Sequence, residues 1–294
     1  MSPKPLSRRT FLSGVSALLL PAAEPVIDIH QHTNYLDRTD EELVRHQQTM
    51  GITKTVLHPA GSKLGLAVNA GGNDSVVALA RQHPDKFLYF ANEAPDLPEA
   101  RRVMEKYLKT GAIGIGEQKF PVEVDSKAFR LVPEIARDFG VPILMHFQHK
   151  HYNFGLDRFH KVLEAFPKVI FIGHAQTWWG HIDRNHDPEV LYPKTRFTPG
   201  GITDRLLADY PNMYGDLSSG SGLNAVTRDE EHAREFLERH QDKLMFGSDC
   251  SDRAGQGEGC IGSKLLAAIR RLATPEVARK ILYANASRVL KIQT

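Results

Sequence analysis

Cysteine is scarce in this chain: its 294 residues include only Cys250 and Cys260. In an oxidising compartment these two could close one small loop as a disulfide, and free, buried thiols are the alternative. No run reaches the eighteen or so apolar residues of a membrane span. There is no repeat at solenoid spacing and no low-complexity tract, which excludes array architectures. Net charge is also small, +2 over the whole chain, so no general basic field exists for nucleic acid. A glycine-rich phosphate turn after an early strand is missing, which counts against a doubly wound nucleotide-binding sheet. What remains is ordinary for a soluble globular protein, with 41% hydrophobic and 24% charged residues.

The first residues differ from the rest. Ser7-Arg8-Arg9-Thr10-Phe11-Leu12 precedes a modestly apolar stretch to Leu20 and then Pro21-Ala22-Ala23. A basic start, an apolar run and small residues describe an export signal. The paired arginines before Phe11-Leu12 resemble a twin-arginine signal, which implies export of the folded chain to the periplasm or beyond and a cut near Ala23. Residues 1–23 are therefore set apart, and 24–294 read as one folded domain. Losing Lys4, Arg8 and Arg9 takes the formal charge from +2 to −1, still close to neutral.

Val26-Ile27-Asp28-Ile29-His30-Gln31-His32 is a β-favouring, alternating run that reads as a buried strand. Side chains alternate along a strand, so His30 and His32 point the same way, roughly 6.5–7 Å apart along the backbone. Two such imidazoles can converge on one ion; a hydrogen-bonded histidine pair at a strand end is the plain alternative. Asp28 would share their inward face at a deeper level, bonded within the barrel and orienting a ligand histidine. Further strands are predicted at 52–57, 87–91, 112–117, 142–146, 169–174, 212–217 and 243–249. Helices are predicted at 39–48, 73–82, 98–110, 128–139, 156–165, 203–209 and 229–240, with two more at 263–272 and 275–290. Strands alternating with helices imply a parallel sheet. Eight such units fit an α/β fold of the (β/α)8 TIM-barrel kind, a single domain of about 250 residues. A doubly wound open sheet is the runner-up.

Active sites of such barrels sit at the C-terminal ends of the strands. Strand one ends in His30 and His32, strand four in Glu117, strand five in His146, strand six in His174 and strand eight in Asp249. Each follows an apolar run, and the ring closes strand eight onto strand one, so these six groups are expected around one mouth.

Asp28-Ile29-His30-Gln31-His32, Gly116-Glu117, Met145-His146, Gly173-His174 and Gly247-Ser248-Asp249 together resemble the amidohydrolase superfamily of metal-dependent barrel hydrolases. Ile281-Leu282-Tyr283-Ala284-Asn285-Ala286 is similar to the final helix of its amidohydrolase-related branch. The resemblance spans the whole mature chain. It implies that His30, His32 and Asp249 hold a first divalent ion, His146 and His174 a second, and that Glu117 bridges them. Many relatives place a carboxylated lysine on strand four; glutamate there resembles the TatD-like and phosphotriesterase-related lines, and a modified Lys119 is the minor alternative. Two ions held close together lower the pKa of a shared water, and Asp249 would take its proton and pass it to the leaving group, as general base and then acid. Zinc is the first choice, with manganese, iron, cobalt or nickel also suited to such ligands.

Other residues complete the expected site. His58 ends strand two, as a ligand or as pocket wall. Gln148 and His149 follow strand five as substrate contacts, and His151 lies beside them. The segment 175–200, with Trp178, Trp179, His181 and His186, reads as a lid or binding loop, one tryptophan stacking on substrate and the other capping the rim. Arg253 could bind a substrate carboxylate, with an exposed arginine as the plainer expectation. His46, His83, His160, His232 and His240 lie on helices or at their ends and read as surface groups. The reading that follows is a metal-dependent hydrolase of a small ester, lactone or amide. Its rivals are a mononuclear decarboxylase or hydratase of an aromatic acid, a TatD-like phosphodiesterase, and a non-catalytic binding protein with a structural metal. The substrate's identity and the oligomeric state have no readable signal.

Overall fold

A computed structural model describes residues 24–61 and 69–293; the export signal expected at 1–23 lies outside the described residues. Strands and helices alternate from the start: β1 (Ile27–Gln31), α1 (Asp40–Thr49), β2 (Lys54–Leu57), α2 (Asn73–Gln82), β3 (Phe87–Tyr89) and α3 (Ala100–Lys109). The middle of the chain continues with β4 (Ile115–Gln118), α4 (Lys127–Phe139), β5 (Ile143–His146), α5 (Phe159–Ala165) and β6 (Phe171–His174). After α6 (Gln176–Gly180) and α7 (Ile202–Asp209) come β7 (Met213–Asp216), α8 (Ser219–Thr227), α9 (Glu230–Arg239) and β8 (Leu244–Met245). The helices α10 (Ile261–Leu272), α11 (Pro275–Arg279) and α12 (Asn285–Leu290) end it.

The strands pair in parallel in chain order, β1 to β3 in one ladder and β4 to β8 in another. Two seams join them. Ala91 bridges to Ile115, and the Ile113 amide donates to the Tyr89 carbonyl at 2.9 Å. On the other side the Ile29 amide donates to the Phe246 carbonyl at 3.1 Å and the Asp249 amide to the His30 carbonyl at 2.8 Å. The ring is therefore closed, and the predicted (β/α)8 barrel is the fold. Ile27, Ile29, Val56, Leu144, Ile172, Tyr214 and Met245 fill its interior, while Leu57, Ile143, Met145, Phe171 and Met213 face the helices. The alternation between these sets is the period-two signature of strands buried on both faces.

Two interruptions of that period aim the mouth. Asp28 lies opposite Thr55 and Gln31 opposite Leu57, so β1 spends three residues where β2 spends two. β4 does the same between Ile115 and Gln118 against Ile143 and Met145. Bulges of this kind re-aim side chains and gather near active sites. In β4 the turn falls on Gly116, at a φ of 143°, where an added Cβ would lie 2.8 Å from the Leu144 carbonyl oxygen. Only glycine fits there.

Several expectations need correction. Asp28 does not share the face of His30 and His32: it points outward between the interior residues Ile27 and Ile29, the bulge after it turns His30 inward, and Asp28 accepts from the Gln47 amide of α1 (3.0 Å), the Ser248 amide (2.8 Å) and hydroxyl (2.5 Å), and the His30 backbone (3.0 Å). It orients no imidazole. The segment expected as a lid begins with helix α6, and Trp178 and Trp179 are 0% and 1% exposed. Trp178 stacks on Phe147 and the Trp179 indole donates to the Asp216 carbonyl at 3.0 Å, so both are core, closed to a substrate. His46, His232 and His240 are buried, not surface groups; His240, for one, reaches Asp204 at 2.6 Å. The helix expected over 275–290 is broken by a π-helical turn at Lys280–Ala284, where the Ile281 carbonyl accepts from the Phe246 amide of the barrel wall and the helical ladder widens around it. α8, rich in serine and glycine, had no counterpart in the sequence reading.

Candidate metal centre

The six strand-end groups meet in one buried space. His30 and His32 bring their Nε2 atoms within 3.2 Å of each other. Their other ring nitrogens are occupied: His30 Nδ1 donates to Asp216 Oδ2 at 2.7 Å, and His32 Nδ1 to the His58 carbonyl at 2.7 Å. With those nitrogens committed as donors, the two Nε2 atoms are the ones turned toward one point. Their separation is about that of two nitrogens bound 2.0–2.1 Å from a shared ion.

Glu117 stands between the histidine pairs. Its Oε2 lies 3.7 Å from His30 Nε2 and 3.5 Å from His32 Nε2, while Oε1 faces His146 Nδ1 closely and His174 Nε2 at 3.7 Å. Asp249 spans the same gap, Oδ1 at 3.5 Å from His32 and Oδ2 at 3.6 Å from His174. His174 Nε2 and Asp249 Oδ1 are buried with no hydrogen-bond partner, although buried polar atoms are ordinarily satisfied. His146 turns its Nε2 to the Gln148 side-chain amide at 3.2 Å and its Nδ1 to Glu117. Three overlapping triads result: His30, His32 and Glu117; Glu117, His146 and His174; His30, His174 and Asp249. The donor set, nitrogen and oxygen with lone pairs aimed inward and partners missing, fits divalent metal ions.

The charges agree. Burial opposes ionisation of Glu117, but His146, Lys119 and His30 outweigh it and hold the carboxyl well below the usual range. Burial likewise works against Asp249, and His30, His174 and His32 overcome it. For His30 burial disfavours the cation, yet Asp249, Asp216 and Glu117 push its pKa well above the ordinary value. Burial takes His146 down to about 4 despite Glu117. A metal-free centre therefore keeps a proton on His30, and binding a cation would release it.

Asp216, at the end of β7, was not singled out in the sequence. It is fully buried, accepts a hydrogen bond from His30 Nδ1, accepts from the Ser218 hydroxyl at 2.7 Å, and through that hydroxyl reaches His174 Nδ1 (2.9 Å from Ser218 Oγ). Its signal was present: a lone acid ending an apolar strand, as in Glu117 and Asp249.

The remaining expected residues scatter. His58 is fully buried, with Nε2 donating to the Ile29 carbonyl at 2.8 Å and its ring 4.6 Å from that of His30; burial and then His30 and His32 push its pKa well down. Lys119 stands 5.5 Å over the Tyr152 ring, beside a space of about 10 Å³ that it shares with His32, Asn92 and Glu117, room for about one water. Gln148 and His149 line a cleft of about 580 Å³ with Thr177 and His181, and Gln148 joins this cleft to the centre through His146. Arg253 is 56% exposed and pairs with Glu42 at 3.1 Å. That is the exposed arginine of the plainer expectation.

The sequence profile described as Amidohydrolase matches residues 27–292. Solved structures share the fold at low identity. One is a 2-pyrone-4,6-dicarboxylic acid hydrolase candidate from Acinetobacter baumannii: TM-score 0.63, 12% identity, 91% of this chain and 99% of that one covered. Another is 5-carboxyvanillate decarboxylase from Sphingomonas paucimobilis: TM-score 0.59, 14% identity, 92% and 100% covered. A TIM-barrel protein from Bordetella bronchiseptica gives a TM-score of 0.63 at 17% identity, over 91% and 98% of the two chains. Among curated proteins nothing matches the sequence significantly.

Proposed function

The chain belongs to the amidohydrolase family, and from that membership we propose a hydrolase of a small ester, lactone or amide that works with two divalent ions, zinc first among them. One observation carries the choice of two ions. Glu117 turns one carboxylate oxygen to His30 and His32 and the other to His146 and His174, the arrangement of a bridging ligand. When bound, such ions acidify water and polarise a carbonyl. The chain's own residues do the rest. Asp216 and the His58 carbonyl fix the tautomers of His30 and His32. Asp249, ionised and 10% exposed at the mouth, is placed to take a proton from water and return it to the leaving group. The cleft beside Gln148 and His149 supplies the space for a substrate.

Elemental analysis of the purified chain beside a Glu117→Ala variant tests the reading. Close to two ions in the parent and fewer in the variant, with turnover in an ester and lactone screen, is the expected result. One ion in both, with carbon dioxide released from aromatic acids, would instead make it a mononuclear decarboxylase; the Sphingomonas structural neighbour is described as a 5-carboxyvanillate decarboxylase.

A further inference from the structure

Beside the histidine centre, on the far side of Asp249 along the chain, lies a second group of metal-binding side chains that the hydrolytic reading does not use. His46 and Met50 stand one turn apart at the C-terminal end of α1. Cys250 and Cys260 bracket the loop between β8 and α10. All four are buried, and both thiols are free. Cys250 Sγ lies 3.8 Å from Cys260 Sγ, which is itself 3.5 Å from His46 Nε2 and 3.7 Å from Met50 Sδ.

These separations decide between chemistries. A disulfide requires its sulfurs about 2.05 Å apart, far closer than they stand. Two sulfurs each about 2.3 Å from one tetrahedral ion are about 3.8 Å apart, and a sulfur and an imidazole nitrogen about 3.5–3.6 Å. The observed sulfur–sulfur and sulfur–nitrogen distances match both edges. His46, Cys250 and Cys260 bring their ligand atoms within 4.8 Å of one another. Cys260 is also the N-cap of α10, receiving the Ser263 amide at 3.4 Å, and helix N-termini favour the thiolate that binds metal.

We propose that His46, Cys250 and Cys260, with the Met50 thioether as fourth donor, form a second, structural site for a soft ion, Zn(II) or Cu(I). Thiolate and thioether donors select such ions over the harder metals suited to imidazole and carboxylate. The site would tie the loop after β8 to α1. That loop begins at Cys250, next to Asp249, and the Cys250 carbonyl already accepts from Arg38 at 2.6 Å and Gln31 at 3.1 Å. An ion there fixes the backbone that carries Asp249 without touching a substrate.

The test uses the reduced, chelator-stripped chain and a Cys260→Ser variant. Titration with Co(II) is expected to give a near-ultraviolet thiolate-to-cobalt charge-transfer band in the parent and none in the variant. The nitrogen and oxygen donors of the mouth cannot produce that band, so the readout is independent of the hydrolytic centre. Zn(II) and Cu(I), added separately, should each displace cobalt if bound. Met50→Leu should weaken Cu(I) about tenfold or more and Zn(II) less, which separates the two ions. Absence of the band in a parent chain that still binds cobalt at the mouth would overturn the proposal. So would cysteines found linked in a chain isolated with its thiols blocked at lysis.

Discussion

Asp216→Asn is the most searching single change at the mouth, because it keeps volume and removes only an acceptor. Asp216 Oδ1 accepts the Ser218 amide at 3.1 Å, and Oδ2 accepts the Ser218 hydroxyl and His30 Nδ1, both at 2.7 Å. An asparagine must keep its oxygen toward the Ser218 amide, which can only donate. Its NH2 group then faces His30 Nδ1, turns that nitrogen into an acceptor, and moves the ring proton to Nε2, the atom aimed at the metal position. Flipping the amide restores His30 but leaves the buried Ser218 N–H unsatisfied, at about 1–3 kcal/mol. That penalty converts to roughly 5- to 150-fold weaker metal binding, in line with the 10–100-fold typical when a partner of a ligand histidine is lost. Competition against a chromogenic chelator measures it directly on parent and variant. Affinity within about twofold of the parent would refute the idea that Asp216 sets the His30 tautomer.

Other changes separate roles that the geometry suggests. Asp249→Asn should lower kcat by about 10²–10⁴ while metal content, read by elemental analysis, stays near that of the parent; retained activity would remove Asp249 as the proton carrier. Trp178→Ala should cost about 3–5 kcal/mol in denaturant unfolding with KM unchanged, because Trp178 packs on Phe147 rather than lining the cleft; a raised KM without lost stability would return it to the substrate site. Asp204 is ionised against Arg239 and His240; burial opposes this, but His240 and Arg239 hold its carboxyl below the usual 3.8. With the folded pKa depressed, its contribution is full above about 3.8 and drains away as pH falls below that value. Asp204→Asn should therefore cost about 1.5–3 kcal/mol at neutral pH and flatten the acid limb of the stability curve, and an unchanged acid limb would count against the pairing.

The strands were legible because their apolar runs are short, β-branched and spaced by helices, a pattern that survives any detail of packing. Boundaries shifted by a few residues, at the N-terminal ends of β2, β4 and β6 as well as at strand ends that turn into the mouth. What the pattern could not carry was local accommodation. The π-helical turn at Lys280–Ala284 exists because the wall's Phe246 amide takes a helix carbonyl, a partner far away in sequence. The burial of Trp178 and Trp179 follows from α6 folding back onto Phe147 and Phe236. A proline-containing connection with two tryptophans reads equally as lid or as plug. His46, His232 and His240 show the same limit, since helix position alone does not say which face meets the barrel.

The candidate site was legible by one rule: a polar residue that ends an apolar strand needs a reason to be buried. That rule gathers His30, His32, Glu117, His146, His174 and Asp249, and it would have gathered Asp216 had it been applied to β7 without waiting for a ligand motif. It does not by itself say which way a side chain points. Strict alternation from Ile115 would send Glu117 outward with it, and alternation from Ile29 would send His30 away from the interior. Both assignments fail because β1 and β4 each carry an extra residue against their neighbours. Gly116 was the visible sign of the second bulge, since a glycine inside a strand, directly before a charged residue, marks a place where the backbone leaves the pleat. β1 carries no such sign: alternation leaves Asp28 outward on Gln47 and Ser248, and the extra residue after it is what turns His30 to the mouth beside His32.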